Sequence, residues 1–161
     1  MMFVGEAPGE VEERIGKAFI GKSGKMLDQW IAQLGLSEED VFITNVVKCR
    51  PPKNRDPTPD EIEACLPQLA REIRELKPAL VVPLGRFAKE VVSHMRETGD
   101  LSEEQYGCGI KHPAWYLRKG GWPTAELQFL MRRLKEKERN DDEKDLTPSI
   151  SVKSTAKVQR R

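Results

Sequence analysis

The sequence predicts an α/β domain on a short, mostly parallel sheet, and three observations carry that prediction. Short apolar runs ending at Gly5, at Asn45 and at Gly85 read as buried strands. Each run stops at a turn residue and delivers a loop. Residues at helical spacing follow every loop, so strand, loop and helix alternate three times, the order that places helices on the faces of a parallel sheet.

The first strand holds Phe3-Val4 and ends in Gly5-Glu6-Ala7-Pro8-Gly9. In open parallel sheets ligands sit beyond the carboxyl ends of the strands, which puts Glu6 at the mouth of such a crevice. A tight turn with a merely solvated Glu6 fits the same residues. After a second turn cluster, Gly21-Lys22-Ser23-Gly24, a helix is predicted from Met26, Leu27, Trp30, Ile31 and Leu34, closed by Gly35. Val41-Phe42-Ile43-Thr44-Asn45 is the second strand, and Asn45 ends it on the side of Glu6.

Pro51, Pro52, Pro57 and Pro59 make a stiff loop of the stretch from Arg50. Thr58-Pro59-Asp60-Glu61 is a helix start with cap, first-turn proline and reciprocating glutamate. The apolar face of that helix is Ile62, Cys65, Leu66, Leu69, Ile73 and Leu76, and Pro67 inside it is expected to kink the helix or mark a break near Cys65. Leu80-Val81-Val82-Pro83-Leu84 is the third strand, and Phe87, Ala88, Val91, Val92 and Met95 line the helix after it. Tyr106 to Lys111 is glycine-rich and at best a frayed edge strand. A last helix is expected from about Thr124 to Arg139, so 1–139 forms the domain and 140–161 a disordered, charged tail.

With 38% apolar and 33% charged residues, 161 in all, the composition is that of one ordinary globular domain. No stretch has the length of a membrane span or the layout of a signal peptide, and an intracellular protein is expected. The net charge of +1 excludes a globally basic binder, yet Lys48, Arg50, Lys53 and Arg55 crowd together, as do Lys111, Arg118 and Lys119. Three cysteines, Cys49, Cys65 and Cys108, argue against a disulfide framework.

Four predicted loops bring Glu6, Phe19, Asn45 and His112 to one edge of the sheet. A carboxylate, an aromatic plate, an amide and an imidazole suit the gripping and cleavage of a planar polar ligand such as a nucleobase. Taken singly, His112 and Phe19 are more simply core residues. The blocks Gly5-Glu6-Ala7-Pro8-Gly9, Gly16-Lys17-Ala18-Phe19-Ile20-Gly21, Thr44 to Arg55, Leu84-Gly85 and His112-Pro113-Ala114-Trp115-Tyr116-Leu117-Arg118 together resemble, in order and spacing, the motif series of the family 4 uracil-DNA glycosylases. The resemblance runs from about residue 3 to residue 134. It implies a three-layer α/β/α sandwich around a four-stranded parallel sheet, here with a short fourth strand.

The resemblance also implies a reaction, in which a uracil is flipped out of DNA and its N-glycosidic bond hydrolysed to leave an abasic site. By it, Phe19 is the stacking aromatic, Asn45 the uracil-reading amide, and the amides around Ala7 line the pocket. His112 donates toward uracil O2, and Glu6 positions water or stabilises the sugar cation. Lys48, Arg50, Asn54, Arg55 and Arg118 match strand-gripping positions, and Tyr116 or Leu117 is the wedge left in the duplex. A solvated loop and an ordinary core leucine explain those residues equally well.

The partner implied is uracil-containing DNA, single- or double-stranded, met by a monomer away from any membrane. The family carries a [4Fe-4S] cluster on four cysteines. Cys49 and Cys65 match the downstream pair, and no C-x2-C pair precedes the first strand here, so the set is incomplete and the chain is expected to hold the cluster poorly or not at all. Cys108 is expected to be a free thiol. The rival expectation is a catalytically impaired relative that binds single-stranded or damaged DNA without excision. A phosphate-loop nucleotide binder is disfavoured, since no G-x-x-x-x-G-K-[ST] run occurs.

Overall fold

The computed structural model describes residues 1–145. Three parallel strands, β1 (Met2–Gly5), β2 (Phe42–Asn45) and β3 (Val81–Pro83), lie in the order β2-β1-β3. Met2 pairs with both Phe42 and Val81, and Gly5 lies opposite Asn45. The carboxyl ends of β1 and β2 are therefore level, which sets Glu6 and Asn45 side by side.

Helices cover both faces. On one, Phe3, Ile43 and Val82 pack with Leu27, Trp30 and Ile31 of α2 (Lys22–Gln33), Tyr116 of α5 (Pro113–Lys119), and Leu127 and Leu130 of α6 (Thr124–Asp145). On the other, Met2, Val4 and Val81 pack with Leu69, Ala70 and Ile73 of α3 (Pro59–Leu76) and with Ala88, Val91 and Val92 of α4 (Arg86–Thr98). Alternate residues of β1 thus feed two separate cores, the three-layer arrangement expected.

The fourth strand is reduced to two parallel bridges, Val81 with Tyr106 and Leu84 with Ile110. The cause lies partly in β3. The Val81 amide donates outward to the Gln105 carbonyl while the Leu84 amide donates inward to Val4, so position 83 faces the 106–110 segment, and Pro83 has no N–H to give it.

Three features differ from expectation. A short helix, α1 (Glu10–Ile15), fills what reads as loop; none of its residues is buried, so no apolar period announces it. Pro67 does not break α3, which runs through it; the proline and Glu63, whose carbonyl it deprives of a partner, are both exposed to water. Helix α6 continues past residue 140 to Asp145, into the stretch expected to be tail, and residues 146–161 lie outside those described. The cap of α3 is as expected, with Thr58 Oγ1 accepting from the Glu61 amide at 3.3 Å and the Glu61 carboxylate accepting from the Thr58 amide at 2.8 Å.

Candidate active site

A cavity of about 1000 Å³ opens beyond the carboxyl ends of the strands, and Glu6, Ala7, Phe19, Asn45 and His112 all line it. Asn45 is 3% exposed, and its Oδ1 is a buried acceptor with no hydrogen-bond partner among the described residues. Such a group costs stability unless something satisfies it. Across the register, Gly5 leaves the space: a Cβ there would overlap both Asn45 Oδ1 and the Phe19 ring.

Phe19 adopts φ +54°, a left-handed conformation uncommon for a bulky residue, and its ring lies 5.5 Å from the His112 ring, tilted by 33°. The loop that carries it is held by Glu12 of α1, whose Oε1 accepts from the amides of Ile20 and Gly21 at 3.1 and 2.9 Å. Glu12 carries no signal in the sequence, since its helix has no buried face to mark it.

His112 caps α5. Its Nδ1 accepts from the Ala114 amide at 3.2 Å, which assigns the proton of the neutral ring to Nε2. Burial, and to a lesser degree the nearby Arg118 charge, push its pKa down from 6.5 to about 4. The ring is therefore a neutral N–H donor across the physiological range.

Glu6 lies against Gly85, the N-cap of α4, where φ is +95° and a Cβ would overlap the carboxylate. Burial raises the pKa of Glu6, while the Phe87 and Arg86 amides at the start of α4 hold it down. Burial prevails, joined by the nearby Asp56 charge, and the Glu6 pKa stands above the ordinary carboxylate value.

The residues expected to grip DNA are placed differently from one another. Arg50, Asn54 and Arg55 surround the loop after β2, but Arg50 donates to Asn54 Oδ1 at 2.7 Å and Arg55 holds Glu61 through two bonds of 2.9 and 2.7 Å. Lys48 is drawn beneath the surface, 2.8 Å from the buried Glu72. Tyr116 packs inward, 7% exposed, edge-on to Trp30, whereas Leu117 beside it is 47% exposed. The chain direction of α5 turns one residue to the core and the next to solvent.

Cys49 is exposed and Cys65 packs with the α3 side of the sheet, whereas Cys108 packs with the opposite side. Burial pushes the Cys108 thiol up to about 11, an inert thiol. Among the described residues no three Cys, His, Asp or Glu side chains gather as metal ligands. A four-cysteine iron–sulfur cluster does not fit the thiols present.

The family model for the Uracil DNA glycosylase superfamily matches residues 1–142. The chain is 50% identical over 132 residues to a type-4 uracil-DNA glycosylase of Archaeoglobus fulgidus, covering 73% of this chain and 66% of that one. It is 59% identical over 116 residues to the type-4 enzyme of Saccharolobus solfataricus (68% and 54% covered) and 40% identical over 134 residues to that of Pyrobaculum aerophilum (74% and 68% covered). The chain thus spans between about half and two thirds of the length of these curated relatives.

Proposed function

The chain belongs to the type-4 family of the Uracil DNA glycosylase superfamily, and from that premise we propose that it flips uracil out of DNA and hydrolyses the bond between uracil N1 and deoxyribose C1′. The observation that carries this is the meeting of Phe19, Asn45, His112 and Glu6 at one cavity.

The everted base stacks on the Phe19 ring, which replaces part of the stacking lost from the duplex. The orphan Oδ1 of Asn45 accepts from uracil N3–H, and its NH₂ donates to O4. Cytosine presents an unprotonated N3 and an amino group, the reverse pattern, and leaves the buried amide unsatisfied. As the N1–C1′ bond breaks, its electron pair moves onto the base, and the developing charge on O2 meets the His112 Nε2–H. Water adds to C1′ and gives up a proton, which in net balance neutralises the uracil anion, leaving an abasic site and free uracil. In this reading Glu6 stabilises the sugar cation and orients that water. Leu117, exposed at the rim, fills the gap in the stack, and Arg118 beside it contacts the strand. No step runs through an iron–sulfur centre.

An oligonucleotide with one uracil, incubated with the protein, heated in alkali and run on a gel, tests this. Strand breaks at uracil are expected, falling at least about a hundredfold in His112→Ala and less in Glu6→Gln. A retarded but unbroken strand with the wild type would leave a DNA binder without the reaction.

A further inference from the structure

The cations around the cavity divide into two groups. In the loop after β2, Lys48 is spent on Glu72, Arg55 on Glu61, and Arg50 lies within 3.9 Å of Glu10 and 3.8 Å of Glu13, while Lys53, exposed and in no ion pair among the described residues, does not line the cavity. Arg86 faces Asp56 at 3.4 Å. Lys89 of α4, Lys111 just before α5, and Arg118 of α5 line the same cavity, are exposed, and have no carboxylate within ion-pair distance among the described residues. Glu126 lines the cavity too but pairs with none of them.

Two of the three are also set in place. The stem of Lys89 packs across Gly109, where a Cβ would come within 3.1 Å of Lys89 Cδ, so the missing side chain gives the stem its seat. Lys111 Nζ rests 3.7 Å above the Trp115 ring, which holds a cation without neutralising it. Arg118 follows the exposed Leu117.

We propose that Lys89, Lys111 and Arg118 form the phosphate track, so that the DNA strand runs past the starts of α4 and α5, and that Lys48, Arg50 and Arg55, already paired with carboxylates, take no phosphates. This rests on the proposed action on uracil in DNA. The physical reason is ion release: an unpaired cation that binds a phosphate frees condensed counterions, while a cation already paired must exchange one anion for another and leaves its carboxylate to repel the strand. Affinity and its salt dependence should therefore follow the unpaired set.

Binding of a fluorescein-labelled single-stranded oligonucleotide containing uracil, followed by anisotropy across a potassium chloride series, reads this directly. Lys89→Gln and Lys111→Gln should each lower the slope of log K against log salt by about 0.7, and the double variant by about twice that. Lys135→Gln, an exposed charge change on α6, should leave it unaltered. All four surface variants should melt with the wild type by circular dichroism. Unchanged slopes in the Lys89 and Lys111 variants would overturn the track, as would Arg55→Gln or Lys135→Gln lowering the slope as much. Excision is scored on the same oligonucleotide in the alkaline gel. Wild-type excision with unmoved slopes defeats the track alone, and falling slopes without excision defeat the enzymatic reading alone.

Discussion

His112 shows how much one side chain settles. Its Nδ1 is occupied by the Ala114 amide and its pKa lies at about 4, so the neutral Nε2–H donor that the proposed reaction needs is fixed by main-chain geometry and by dryness together. The rate should accordingly show no inflection near pH 6.5, the ordinary value for histidine, and a pH profile of kcat/KM between 5 and 8 checks this. Stability follows a different course. Above pH 6.5 neither folded nor unfolded chain holds the proton. As pH falls from 6.5 toward 4 the unfolded chain takes it up first, so about 3 kcal/mol should be lost across that window. Urea midpoints of the wild type should fall more steeply there than those of His112→Asn, which retains a cap for α5. Gly5→Ala is expected to abolish base binding, measured as loss of inhibition by free uracil, because the added methyl meets both Asn45 and Phe19. That Glu6, Phe19, Asn45 and His112 meet at one cavity was legible in the sequence, because each stands in a motif block that ends a strand or opens a loop on the same side of the sheet. That Tyr116 faces inward was not, since residues 113–119 carry no helical period long enough to show a buried face.

Between β2 and α3 lies a polar network that only the pairing of elements reveals. The Thr44 hydroxyl donates to Glu72 Oε2 at 3.0 Å, the Lys48 ammonium donates to the Thr44 oxygen at 2.6 Å and to Glu72 at 2.8 Å, and Gln68 donates to the other Glu72 oxygen at 3.2 Å. Read along the chain, Lys48 belongs to a basic cluster and looks like a DNA contact. Read across the fold, it neutralises a carboxylate that is 5% exposed. A hint was present, for Glu72 falls between Leu69 and Ile73 on the apolar face of its helix, where a charge needs a partner. Lys48→Met should destabilise the protein by about 3–5 kcal/mol in urea titrations, and adding Glu72→Gln should restore much of the loss. A direct role in gripping DNA would instead appear as weakened binding with the melting curve unmoved.

For the molecule as a whole, the alternation of strand and helix was enough to read a layered fold with its cavity at the strand ends, because buried parallel strands and amphipathic helices each leave a plain pattern. What escaped was whatever depends on exact pairing. The fourth strand is one case: its glycines made it look weak, but Pro83 on the neighbouring strand also withholds a hydrogen bond. Amide exchange followed by NMR should find Gly107 and Ile110 protected, since they donate to Val81 and Pro83 at 2.9 and 3.0 Å, with Cys108 and Gly109 between them exchanging freely. The charge pattern is another case, since a net charge near zero concealed that Lys48, Arg50, Arg55 and Arg86 are paired while Lys89, Lys111 and Arg118 have no carboxylate partner among the described residues.

The strand order β2-β1-β3 places the earliest strand in the middle. During translation β1 therefore waits with both hydrogen-bonding edges bare until Phe42–Asn45, and later Val81–Pro83, leave the ribosome, and the pocket lacks its histidine until residue 112 has followed. A nascent polypeptide arrested before Leu84 has no complete sheet, and it is in that interval that a chaperone would have most to hold.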